Sequence, residues 1–386
     1  MAEVRPVTGT RSTSRPRALD LSTGVGAAYT TKLLADVGWD VVKMEPGDGE
    51  PGRLRGSRWG GGEGGAFAFV NHGKRWVEGD AEILEGLANA ADVVVGDFSP
   101  GGSAESGLDA ALFQSLEPAG AVVSVSPFGL TGPRASWAAN DLVVQAASGL
   151  MFLTGEYDQS PMQLPPYAAA MTGGLAAASA ALAANRAARR DGVTRRVDVS
   201  MVEALAGYTY AQTSTYVNRG EVFRRERRDA NRLRMVHASD GRLIYSGLDQ
   251  NTAVEMKDFA TLLDEPRLAD ERFQTVEGRI EHQREFLDLF VPPFQQRTAR
   301  EWFERAQQLH LTLALVQTVD ELFSCPQLEA RGFMRSIPGP RGFDVRIPGR
   351  PFRLESGPSE ADRAWSEDPG EHTLEVLYEW LGAPGE

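Results

Sequence analysis

The stretch Arg17-Ala18-Leu19-Asp20-Leu21-Ser22-Thr23-Gly24-Val25-Gly26-Ala27-Ala28-Tyr29, continued by Leu33-Leu34-Ala35-Asp36-Val37-Gly38 and by Trp39-Asp40-Val41-Val42-Lys43-Met44-Glu45, decides the fold. Residues 17–21 read as a short strand. Residues 26–37 read as a helix with Ala27, Leu33, Leu34 and Val37 on one apolar stripe, and residues 39–44 as a second strand. Working outward, residues 80–91 predict a helix and the run Asp92-Val93-Val94-Val95 a strand buried on both faces. A helix at 108–116 and a strand at 121–125 follow. Strands alternating with helices in this way predict an α/β fold, a parallel sheet with helices on both faces.

Further along, residues 140–155 and 171–190 read as helices, 196–199 as a strand and 202–217 as another helix. The Arg-rich stretch 221–234 marks a domain boundary. After it, residues 235–248 predict a hairpin turning at Ser239-Asp240-Gly241, and Thr298-Ala299-Arg300-Glu301 predicts a capping box at a helix start. The tail from Pro338 is rich in proline and glycine and ends in a helix near 374–381. This gives four segments: a disordered start at 1–16, a large lobe at 17–224, a small α+β lobe at 225–325, and a tail at 326–386.

The net charge of −13 argues against nucleic acid or an anionic membrane as partner, because like charges repel. The single cysteine, Cys325, allows no intrachain disulfide and fits a reducing, cytoplasmic setting. It reads as a small core residue in preference to a nucleophile. Residues 167–185 are nearly uncharged but mostly alanine, which gains little from lipid, so they read as a packed helix and not as a membrane span. His72, His237, His282, His310 and His372 are scattered without ligand spacing, so no metal site is expected. Gly24-Val25-Gly26, with Glu45 ending the next strand, resembles a dinucleotide fingerprint, but Tyr29 stands where the third glycine belongs. The plain reading, a helix start needing small residues, is preferred.

Several blocks in order make a resemblance more specific. Leu19-Asp20-Leu21-Ser22, Leu33 to Gly38 and Val41-Val42-Lys43-Met44-Glu45-Pro46 are similar to the opening of the family III CoA-transferases, the CaiB/BaiF group. Ser126-Pro127-Phe128-Gly129-Leu130-Thr131-Gly132-Pro133, Asp141-Leu142-Val143-Val144-Gln145 and Val197-Asp198-Val199-Ser200 resemble further family blocks. So do Leu268-Ala269-Asp270-Glu271-Arg272-Phe273 and Glu329-Ala330-Arg331-Gly332-Phe333. The resemblance implies a Rossmann-like large lobe that includes the returning tail, a smaller α+β lobe, and two chains closed as interlocked rings. It implies CoA thioesters as substrates and no permanently bound cofactor. It also makes Lys43, Arg53, Lys74, Arg75 and Phe98 candidates for CoA contact.

The sequence departs from the family at two places. The family's nucleophilic aspartate attacks the thioester and passes through an anhydride, a task that needs a carboxylate. By the resemblance it lies four residues before the glycine of a Thr-Gly pair, here Thr172-Gly173, and that position is Ala169. The family's Asn-Phe-Arg-Pro-Gly block reads Asp97-Phe98-Ser99-Pro100-Gly101, and a second arginine is replaced by Glu105, where a phosphate would meet repulsion. The racemase branch, with a histidine before Asp141 and the same aspartate, is disfavoured by Asn140 and Ala169.

The resemblance therefore points to the subunit of heteromeric members (benzylsuccinate CoA-transferase type) that lacks the aspartate, with a catalytic sister chain of the same fold as partner. The alternative is a repurposed homodimeric acyl-CoA-binding enzyme performing acyl transfer or isomerisation. Asp141, Glu156 and Tyr167 would then be substitute acids or bases, with Asp158 a further nearby acid. A cap on the helix that follows it is the expected role of Asp141.

Overall fold

The computed structural model describes residues 15–45, 50–54, 64–100, 108–225, 235–247, 255–338, 344–354 and 368–382. Most of the expected disordered start, part of the Arg-rich boundary stretch, and Glu105 lie outside the described residues.

The chain divides into two compact units. The larger is formed by described residues within 1–154, 161–223 and 332–386, and the smaller by those within 155–160 and 224–331.

Strands β1 (Arg17–Leu21), β2 (Asp40–Glu45), β3 (Arg75–Glu78), β4 (Val93–Gly96), β5 (Ala121–Ser126) and β6 (Arg195–Ser200) of the larger unit form one sheet. Their spatial order is β3-β2-β1-β4-β5-β6, and every pair is parallel. This is a doubly wound order, with its direction of winding reversing between β1 and β4.

The helices are α1 (Val25–Asp36), α2 (Gly65–Asn71), α3 (Ala81–Ala90), α4 (Ala110–Ser115), α5 (Asp141–Ala147), α6 (Leu150–Leu153), α7 (Ala168–Asp191), α8 (Met201–Ala206) and α9 (Tyr210–Arg219). Alternation along each strand divides the sheet's side chains between two cores. Ala18, Val41, Val93, Val95, Val123 and Val125 meet α1 and α7 on one face. Leu19, Val42, Val77, Val94 and Val122 meet α3, α4 and residues Val376 and Trp380 on the other.

The alanine-rich α7 is long and apolar enough to cross a membrane by length and composition. Its small residues instead line the contact with α1. A Cβ on Gly174 would lie 2.5 Å from the Gly26 carbonyl oxygen, so the two backbones could not approach this closely with a larger residue there.

In the smaller unit, β7 (Met235–His237), β8 (Leu243–Tyr245) and β9 (Ala314–Leu315) form an antiparallel sheet. Helices α10 (Met256–Leu262), α11 (Val276–Glu281), α12 (Gln283–Phe290), α13 (Ala299–Gln308) and α14 (Pro326–Ala330) complete it. The hairpin turns where expected, with Gly241 at positive φ, and Thr298 and Glu301 form the expected capping box. Phe259, Phe286, Phe290, Phe294 and Trp302 are buried in one aromatic cluster, Phe290 meeting Phe259, Phe286 and Phe294, and Phe294 meeting Trp302, with ring separations of 5.2 to 5.5 Å. Cys325 is not a core residue; it is half-buried at the start of α14. In the larger unit, β10 (Met334–Pro338) pairs antiparallel with β11 (Asp344–Pro348), and α15 (Thr373–Leu381) packs beside β3.

Three expectations need correction. The helix expected at 140–155 breaks into α5 and α6 because Gly149 adopts φ 81°, a left-handed geometry that ends a helix. The helix expected at 202–217 is interrupted by a 3₁₀ turn at Gly207–Thr209. Strand β3 falls in a stretch to which the sequence reading gave no element, and the β10–β11 pair falls in the tail.

Candidate functional site

In a doubly wound sheet, ligands bind outside the carboxyl ends of the strands, at the point where the order reverses. A cavity of about 510 Å³ occupies that place. Thr23 and Gly24, just after β1, form one wall, and Asp97 and Ser99, after β4, form the next. Ser126 and Pro127 at the end of β5, Asn140 and Asp141 of α5, and Tyr167 and Ala170 at the head of α7 close it.

The most polar corner belongs to Asp97. Its Oδ2 accepts the backbone N–H groups of Thr23 (2.6 Å) and Gly24 (2.8 Å), which lead into α1. Burial outweighs these bonds and pushes its carboxyl up to about 7. The Gly24-Val25-Gly26 motif is therefore a helix start seated on an internal carboxylate. Glu45, its would-be ribose partner, is held by Arg53 at 2.8 Å and by the Glu50 N–H.

At the head of α7, Ala169 is fully buried and packs with Val144 and Leu205. Tyr167 begins the helix at φ 68°, a left-handed conformation that is strained for a bulky side chain. Asp141 does not cap its own helix; Asn140 does, its Oδ1 accepting the Val143 N–H at 3.1 Å. Asp141 reaches across to α7, where its Oδ1 accepts the Ala170 N–H at 2.9 Å. Its Oδ2 accepts Gln145 Nε2 at 2.7 Å. Both oxygens thus serve the junction of two helices. Glu156 and Asp158 belong to the segment 155–160 of the smaller unit.

The four candidate cations are all committed inside the larger unit. Lys43 and Lys74 are fully buried around Asp20. Lys74 Nζ lies 2.6 Å from Asp20 Oδ2, and Lys43 Nζ lies 2.8 Å from Glu50 Oε2 and 2.6 Å from the Ser22 carbonyl oxygen. Burial alone would raise the Asp20 carboxyl, but Lys43 and Lys74 hold it well below the usual carboxylate range. Burial lowers Lys74 to about 8 despite Asp20, whereas Asp20 and Glu50 overcome burial to raise Lys43. Arg53 is bound to Glu45 and stacked on Phe67 and Trp76. Arg75 joins Asp40, Glu375 and Glu379. Phe98 is buried against Phe113, 5.4 Å between rings. All five are engaged within the fold, each of the four cations by at least one carboxylate.

Reading the sequence for function named Lys43 and Lys74 but not the Asp20 and Glu50 carboxylates that hold them, and took Asp97 only as a departure from a family block. The available signal was position: Asp20 lies within β1, and Asp97 is the first residue after β4 at the reversal point. Among the described residues no three His, Cys, Asp or Glu side chains gather as metal ligands.

Fold and cavity together define a doubly wound α/β protein with a small-molecule site at the reversal point of its sheet. The model of CoA-transferase family III matches residues 16–373, and the chain belongs to that family. It is 28% identical to a succinate–glutarate CoA-transferase of Agrobacterium fabrum, covering 94% of each chain. It is 27% identical to the BbsE subunit of succinyl-CoA:(R)-benzylsuccinate CoA-transferase of Thauera aromatica, covering 95% of this chain and 93% of that one. The crystal structure of a CaiB/BaiF family protein from Brucella suis superposes with a TM-score of 0.80 at 25% identity, over 95% of this chain and 98% of that chain.

Proposed function

We propose that this chain is the non-catalytic subunit of a heteromeric family III CoA-transferase, which moves CoA between an acyl-CoA donor and a carboxylic acid. The observation that carries this reading is Ala169: at the head of α7 it offers a methyl group packed on Val144 and Leu205. Its neighbour Asp141 is engaged through both oxygens. An alanine cannot accept an acyl group. In this reading the acyl acceptor sits on a sister chain of the same fold, CoA thioester passes through as substrate, and the complex works in the cytoplasm.

The surface supports a partner chain. Helix α9 buries none of its ten residues, and Tyr210, Tyr216 and Val217 are 77%, 58% and 75% exposed. Aromatic and aliphatic side chains concentrated on one helix this way suit an interface. An interlocked pair of rings would cover them.

The test is the native mass of the tagged chain isolated from its source cells, with CoA exchange measured on the purified chain alone. The expected result is a complex that requires a second, different polypeptide, and no exchange by this chain by itself. A homodimer that turns over would sink the proposal.

A further inference from the structure

We propose that the tail of α7 carries a phosphate-binding site, separate from the switch-point cavity and independent of the function proposed above. The ligand is a phosphate group, free or carried on a small molecule.

Helix α7 is 24 residues long. Its head lines the switch-point cavity, and its tail lines a second cavity of about 670 Å³ within the larger unit. Arg186, Arg189 and Arg190 border this second cavity, with Asn185, Leu182 and Pro16 beside them. Arg186 and Arg190 are exposed and stand one helical turn apart, so they share a face. Among the described residues no ion pair or side-chain hydrogen bond holds either of them. Arg189 Nη2 meets Asp92 Oδ1 at 3.1 Å. Asp191, the acid that feels the charge of Arg190, is bound by Arg195 at 2.5 Å.

Asn185 is a second and independent observation. It is 6% exposed, and no hydrogen bond among the described residues uses its amide. Its Oδ1 is sealed inside, which leaves Nδ2, a donor, as the edge that borders the cavity. A buried amide without a partner costs stability unless something in the cavity accepts from it. Arginines in the last turn of a helix offset its dipole, and that alone explains Arg189 and Arg190. It explains neither Arg186, a turn further in, nor the amide beside it.

Guanidinium groups bind carboxylates and phosphates through paired N–H donors. A planar carboxylate is filled by one such fork. A tetrahedral phosphate offers oxygens in several directions and suits donors arriving separately from Arg186, Arg190 and Asn185. Leu182 and Pro16 give an apolar flank for the carbon skeleton of a phosphoester. The chain's net charge of −13 repels anions, so a phosphate that binds here does so through this local arrangement. Water competes for exposed arginines, and an affinity of about 1 mM is expected.

The experiment is calorimetric titration of the protein in its native assembly with inorganic phosphate and with pyrophosphate, each against sodium chloride at equal ionic strength. Phosphate is expected to bind and chloride to give no signal. Arg186→Gln combined with Arg190→Gln should weaken phosphate binding about tenfold or more, and Asn185→Ala about threefold. Arg219→Gln removes an arginine from the last turn of α9, outside this cavity, and should leave binding within about twofold. Thermal melts show that each variant folds. Pyrophosphate binding about tenfold tighter than phosphate would assign the site to a diphosphate-bearing molecule, and equal binding to the free ion. The proposal fails if phosphate gives no signal, if chloride reproduces it, or if the paired arginine variant binds as tightly as the wild type. Neither the native mass nor CoA exchange enters this test, so it stands apart from the test of the heteromer.

Discussion

Beneath the carboxyl ends of β1 and β2 the chain buries Asp20, Lys43, Glu50 and Lys74 in one ion-paired cluster, whereas at the head of α7 it packs Ala169 and Ala170. Of the two, only the head of α7 lines the crevice, through Tyr167 and Ala170. In the first, charge is retained where every charged group has a partner within the fold, and removing one would strand the others. In the second, the fold needs no charge, and the surroundings are closed by Val144 and Leu205. Buried ionisable groups here report architecture. The groups that report chemistry are those lining the open cavity.

That contrast can be broken experimentally. Asp20→Ala leaves Lys43 and Lys74 around an empty centre and should cost about 3–5 kcal/mol of stability, read from denaturant unfolding. A loss below about 1 kcal/mol would mean the cluster is not a structural unit. Ala169→Asp is expected to cost about 2–3 kcal/mol in the same assay, because a carboxyl would enter an apolar cluster. It should also fail to form an acyl-enzyme that hydroxylamine can trap. Recovery of that intermediate would show that position 169 still faces substrate.

Asp97→Asn tests the cavity through pH. Asp97 titrates near 7 in the folded chain against an ordinary value of 3.8. The folded state therefore holds the extra proton between these limits, and the group's contribution to stability is present below the ordinary value and lost as pH rises through 7. Melting temperatures of wild type and variant should diverge over that interval, with the variant gaining, and run parallel from about pH 7 to pH 8. Parallel curves throughout would remove the raised titration. The smallest effect belongs to Tyr167→Asn, since asparagine tolerates positive φ while the half-buried ring is lost; a net change within about 1 kcal/mol is expected. A much larger loss would make the ring itself the anchor of α7.

The doubly wound sheet was legible in the sequence because its central strands are unbroken apolar runs, such as Val93-Val94-Val95, and its first βαβ unit is compact. Strand β3 was not, because Arg75-Trp76-Val77-Glu78 is short and mixes charge with apolar residues. Its Arg75, a candidate for CoA contact by the resemblance, is joined in the fold by Asp40, Glu375 and Glu379. The alanine at position 169 was readable from a motif. The commitment of the cations was not, since ion pairs such as Arg75–Glu375 join residues far apart in the chain.

Helix α15 carries a consequence for how the protein is made. It closes the β3 side of the sheet: Glu375 and Glu379 hold Arg75, Trp380 Nε1 donates to Asp40, and the His372 N–H donates to the Trp76 carbonyl oxygen. Strands emerging early from the ribosome must therefore wait, edge uncovered, for residues near 380 to be translated.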